Sequence, residues 1–121
     1  MNSLNQYITE KLKINKDSKI IKNGDKKFYS IYGFELEVLR PFLEESGYYY
    51  GSDYDTDISK DDKNLDIYIT QDEKMPHREL EEFGWDIVDE LLKYNISWET
   101  MSADVHANPQ VIHITNIEFN N

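Results

Sequence analysis

The stretch Tyr48–Thr70 reads YYYGSDYDTDISKDDKNLDIYIT. Aromatic and β-branched residues concentrate at its two ends, and its middle is polar. That pattern predicts a strand from Tyr48 to about Asp57, a hairpin loop over ISKDDKN, and a second strand over Leu65–Thr70. Side chains two apart on a strand share a face, with a spacing of about 6.5 Å set by the strand rise. Asp53, Asp55 and Asp57 therefore form a row of carboxylates on the solvent face, while Tyr54, Thr56 and Ile58 point the other way. Asp61 and Asp62 extend the acidic run.

Downstream, Met75-Pro76 opens the clearest helix in the chain, over 77–94. Leu80, Phe83, Ile87, Val88, Leu91 and Leu92 recur at i, i+3, i+7, i+8, i+11 and i+12, a stripe that faces a core. Pro76 suits the first turn, where its missing N–H costs nothing. Two strands are expected next, Ile96–Val105 and Gln110–Phe119, with residues 106–109 (HANP) as their turn.

Upstream, Phe28–Phe34 (FYSIYGF) reads as a strand. Leu36, Leu39, Phe42 and Leu43 then take helical spacing. Pro41 removes a hydrogen bond and clashes with the preceding turn, so this helix kinks or restarts there. Alternatively the strand runs on to Val38, because Phe34, Leu36 and Val38 also alternate. Before it, Ser3–Ile14 reads as an amphipathic helix capped by Ser3, with Leu4, Tyr7, Ile8 and Leu12 on one stripe. Residues 15–26 read as a lysine-rich linker or loose hairpin.

The expected division is a basic N-terminal helix and linker over 1–27, then a single acidic domain over 28–121. The element order β-α-β-β-α-β, plus one strand, predicts an α+β, ferredoxin-like (split βαβ) architecture. It is an antiparallel sheet with two packed helices, an extra C-terminal strand and an N-terminal helix. A chain of 121 residues is long enough for one hydrophobic core.

Charge is the strongest compositional signal. The chain holds 13 Lys and Arg against 24 Asp and Glu, a net of −11. Residues 1–27 carry seven Lys and three acids, whereas residues 28–121 carry six basic residues and 21 acids. Such a body repels nucleic acid and anionic lipid, to which it would add charge rather than release counterions. It attracts basic protein surfaces. No apolar run approaches the roughly 20 residues of a membrane span. With no cysteine, the chain has no disulfide, thiolate ligand or thiol nucleophile. These features suit a cytoplasmic protein.

Among chemical motifs, Asp53, Asp55, Asp57 and Asp61 match positions 1, 3, 5 and 9 of a calcium loop. Ile58 then stands where the loop needs Gly, and Asn64 where it needs the bidentate Glu, so no metal site is assigned. His77, His106 and His113 are far apart and show no zinc-protease spacing. His113, inside an apolar strand, is expected to be a core histidine. There is no nucleophile elbow and no glycine-rich phosphate loop. No catalytic residue, cofactor or enzyme activity is expected.

The candidate partner-binding set combines two acidic rows with tyrosines. One row is Asp53, Asp55, Asp57, Asp61 and Asp62. The other lies on the helix face opposite its core stripe: Glu79, Glu82, Asp86, Asp89 and Glu90. Tyr49, Tyr50 and Tyr54 cluster beside the first row, and tyrosine is enriched at interfaces. A carboxylate row spaced on the length scale of successive phosphates can occupy lysines and arginines that grip nucleic acid.

Finally, the first ten residues, MNSLNQYITE, resemble the capsid-targeting leader of internal head proteins of large tailed phages. Tyr7-Ile8-Thr9-Glu10 fits the pattern of aromatic, Ile, any residue, Glu. The resemblance implies cleavage between Glu10 and Lys11, packaging in a phage head, and injection with the DNA. In general character the body is similar to small acidic phage anti-defence (anti-CRISPR-like) proteins. The reading is an acidic inhibitor that binds the basic nucleic-acid surface of a host defence nuclease. Two alternatives stand beside it: an immunity protein against a basic nuclease toxin, and a virion protein without an inhibitory role.

Overall fold

The computed structural model of the chain describes residues 26–120. The N-terminal helix and linker expected before Lys26 lie outside these residues. The described chain is α+β. A four-stranded antiparallel sheet packs against a long helix, and a further strand pair completes it, an arrangement consistent with a ferredoxin-like α+β fold.

The elements run α1 (Ile31–Phe34), a π-helical turn (Glu35–Leu39), α2 (Arg40–Glu45), β1 (Tyr54–Ile58), β2 (Leu65–Ile69), α3 (His77–Lys93), β3 (Ile96–Ser97), β4 (Thr100–Asp104), β5 (Gln110–Thr115) and β6 (Glu118–Phe119). The sheet order is β1-β2-β5-β4, and β3 pairs with β6 separately.

Phe28–Phe34 is a correction: it leads into a helix instead of forming a strand. Phe28, Ile31 and Phe34 are buried at intervals of three, which is helical spacing. Ser30 caps α1, its hydroxyl accepting the Gly33 N–H at 3.0 Å. The Phe28 and Phe34 rings meet edge to face, and both meet the Tyr94 ring the same way.

The expected disturbance at Pro41 takes a defined form. The Arg40 N–H reaches back five residues to the Glu35 carbonyl, making the widened turn of a π-helix just before the proline. That turn accommodates a residue without an N–H, so the helical rod continues instead of breaking. It also shifts the phase of the stripe. Glu35 and Leu39 turn inward, and Leu36 is left exposed. The rod ends in a Schellman cap at Gly47 (φ 94°). The Tyr48 N–H bonds the Leu43 carbonyl, and the Gly47 N–H bonds the Glu44 carbonyl.

Helix α3 presents Leu80, Phe83, Ile87, Val88, Leu91 and Leu92 to the core, as its periodicity requires. Gly84 sits on the same side. A Cβ there would lie 2.6 Å from the Met101 sulfur, so a larger residue would require the flexible Met101 side chain to shift. The core face of the sheet supplies Tyr54, Leu65, Ile67, Ile69, Ile112 and Ile114. Full burial of such side chains contributes about 1.5–3 kcal/mol each.

Both strands expected after α3 are interrupted. The first splits into β3 and β4 around Trp98-Glu99, the second into β5 and β6 around Asn116, whose φ is 49°. The outer fragments then pair with each other, Ile96 with Phe119 and Ser97 with Glu118.

Candidate functional site

The ladder registers define the second face of the sheet. Asp55 lies beside Tyr68, Tyr68 beside Val111, and Val111 beside Asp104. In the next row Asp57 lies beside Asp66, Asp66 beside His113, and His113 beside Ser102. The helical rod of α1 and α2, and the long helix α3, pack on the opposite, core side. Asp55, Asp57, Ser102 and Asp104 are exposed, and Asp66, Tyr68 and His113 are half-buried. Among the described residues, the outward strand positions of this face hold four aspartates and neither Lys nor Arg.

Asp66 and His113 are tied together: a carboxylate oxygen and the ring Nδ1 stand 2.7 Å apart. His113 is therefore a surface histidine, which corrects its expected place in the core. The sheet alternation that buries Ile112 and Ile114 turns His113 outward. Tyr68 has its hydroxyl pKa raised, first by burial and then by the charges of Asp66 and Asp57.

The predicted site residues divide by location. Asp55 and Asp57 occupy the free face as expected. Asp53 lies just before β1, and its carboxylate accepts the Tyr49 N–H at 2.7 Å. Asp61 stays in the hairpin tip, where Ser59 donates to it at 2.6 Å and holds its carboxyl below the usual range. Asp62 reaches across to α1 and accepts the Ile31 N–H at 3.1 Å. It caps a helix and does not extend the acidic row.

The helix row stands on the other side of the molecule. Because α3 covers the core face, its outward residues Glu79, Glu82 and Asp86 face away from the free sheet surface. Glu82 lies 3.6 Å from Arg78. Glu90 is buried and bonded to Lys93 at 2.7 Å. Asp89 is half-buried. The two acidic rows thus do not form one surface, and a single flat partner meets one of them.

Tyr54 is also a correction. It is buried completely and presents nothing to a partner. Among the described residues its hydroxyl has no hydrogen-bond partner. Burial, reinforced by Glu35, raises its pKa to about 12, with Arg40 pulling the other way. Tyr49 and Tyr50 remain exposed. Tyr50 lies under the Arg40 guanidinium, 3.6 Å from its ring centroid, and meets Tyr54 edge to face. Arg40 is held by Glu35 at 2.9 Å, and the same carboxylate oxygen accepts the Thr56 hydroxyl at 2.8 Å. This network joins the helical rod to β1.

Asp66, Asp104 and His113 are the free-face residues that the sequence reading left out of the site. The signal for Asp66 and His113 was present in the alternation of LDIYIT and QVIHIT, and that for Asp104 in TMSAD. No group of His, Cys, Asp or Glu among the described residues has an arrangement that could hold a metal ion. No helix among them is long and apolar enough to cross a membrane. No family model matches the chain, and no curated protein or solved structure shows significant similarity to it.

Proposed function

We propose that this protein is a stoichiometric inhibitor that occupies the basic nucleic-acid-binding surface of a host defence nuclease, in the manner of an acidic anti-CRISPR or anti-restriction protein. The observation that carries the reading is the free sheet face, which among the described residues holds four aspartates and neither Lys nor Arg at its outward strand positions. Asp55 and Asp57 stand about 6.5–7 Å apart along β1, close to the repeat of a phosphate backbone. Asp66 adds a second file one strand away. A rigid sheet holds these carboxylates in place before binding, which lowers the entropic cost of association.

Binding of this kind is steered by charge, so it is fast and sensitive to salt. The test is affinity capture from nuclease-treated bacterial lysate, using the native protein and a variant with Asp55, Asp57, Asp66 and Asp104 changed to Asn. The native protein is expected to retain a basic nucleic-acid enzyme at low salt, release it at high salt, and inhibit it when purified. The variant is expected to lose at least ten-fold in affinity. Equal capture by both proteins, or captured enzymes that remain fully active, would overturn the reading.

A further inference from the structure

The two edges of the sheet are built differently. Along β1 the chain closes its own edge. The Thr56 N–H bonds the Asp55 carboxylate at 2.8 Å, and the Tyr54 carbonyl accepts the Gly51 N–H at 2.8 Å. These are groups that would otherwise be offered to another strand, and closing them is a common protection against edge pairing.

Among the described residues, strand β4 has no such closure. The Thr70 N–H bonds the Asp53 carbonyl in register with the β1–β2 ladder, which sets the phase of hydrogen bonding across the sheet. Strict alternation through β2 and β5 directs Thr100, Ser102 and Asp104 toward β5. It turns the N–H and C=O groups of Met101 and Ala103 to the open edge. Among the described residues, no strand pairs with β4 on that side.

A recess of about 480 Å³ lies beside this edge, lined by His77, Ala103, Asp104, Val105 and His106. It sits where β4 meets the start of α3. An added strand would direct alternate side chains to opposite faces of the sheet. One set would enter this recess, against Ala103 and Val105. The other would lie on the free face, beside Asp104 and the aspartates of β1 and β2.

We infer that β4 is a docking edge for an extended segment of the partner, in which cationic and apolar side chains alternate. Backbone hydrogen bonds to Met101 and Ala103 would hold the segment. Charge complementarity with the free face selects lysine or arginine at alternate positions, and residues 28–121 of a second copy, with six basic residues against 21 acids, do not supply them. This inference rests on the reading that the partner is basic, and it adds the mode of attachment.

The test uses the full chain and a capped hexapeptide of alternating lysine and valine, with amide hydrogen exchange followed by NMR. The peptide is expected to slow exchange at Met101 and Ala103 at least ten-fold and to leave β1 amides unchanged. A peptide N-methylated at alternate amides should lose this protection, and so should Ala103→Pro, a change an edge strand tolerates where its N–H points outward. The methylated peptide leaves the protein untouched, so the result does not depend on how the variant folds. Peptide that binds without protecting Met101 and Ala103, or that does not bind at all, would overturn the docking edge. Neither result touches the inhibitor reading, which stands or falls on the capture experiment. Protection equal in a glutamate–valine peptide would overturn the preference for a cationic segment.

Discussion

Asp57 and Asp66 are register partners across the β1–β2 ladder, so two carboxylates stand side by side on the free face. Like charges directly opposite each other cost stability. Asp66 is engaged by His113 at 2.7 Å, whereas Asp57 is exposed. Asp57→Asn is therefore expected to stabilise the protein by about 0.2–1 kcal/mol while weakening attachment to a basic partner. Asp66→Asn should stabilise less, because it also disturbs the histidine contact. Urea unfolding at pH 7 and low salt measures both, and a fall in stability for Asp57→Asn would contradict the argument.

Tyr54 sets an alkaline limit. Its hydroxyl pKa rises from 10.0 to about 12 in the fold, so the folded state favours the neutral phenol. The associated stability is fully present below pH 10 and is lost as pH rises from about 10 to about 12. Tyr54→Phe should remove this part of the alkaline loss. At pH 7 the variant should be at least as stable as the native protein, because the deleted hydroxyl has no partner among the described residues. Urea midpoints at pH 7, 9 and 11 decide the matter.

Glu35 is 1% exposed and anchors both Arg40 and Thr56. Glu35→Ala leaves a guanidinium and a hydroxyl without their acceptor. Breaking a buried pair costs about 3–5 kcal/mol, and the partial exposure of Arg40 places this loss at the lower end. Glu35→Gln keeps an acceptor for Thr56 and should lose less. Chemical denaturation of the two variants orders them.

Asp62 caps α1 from the far side of the hairpin, through the Ile31 N–H. Asp62→Ala is expected to cost about 1 kcal/mol, the usual size of a lost cap. The loss should appear as faster amide exchange at the start of α1. A variant with unchanged exchange there would show that Ser30 alone secures the helix.

The elements legible in the chain were those whose pattern repeats without interruption. Leu80 to Leu92 repeats over three turns, and the helix stands where that stripe puts it. The alternation of Tyr54, Thr56 and Ile58 against Asp55 and Asp57 placed the latter two outside. The aromatic content of Phe28–Phe34 suggests a strand, while the spacing of Phe28, Ile31 and Phe34 suits the helix that forms. Ser30, three residues before Gly33, was the local cue for the helix. Leu36 falls on the buried stripe of an unbroken α-helix, and the π-turn before Pro41 shifts it outward.

The sequence by itself determined the charge of the molecule, the long helix and the side of β1 that carries its aspartates. These follow from composition and from the periods of 3.6 and 2, which are properties of neighbouring residues. Only the tertiary structure decided which carboxylates share a surface. Strand pairing brought Asp104 and His113 from the far end of the chain, and Asp66 from the other arm of the hairpin, to Asp55 and Asp57. The packing of α3 on the opposite face sent Glu79, Glu82 and Asp86 to the other side. The hairpin turned Asp62 into a cap, and burial withdrew Tyr54 from the surface. These outcomes depend on contacts between distant segments, and no local period records them.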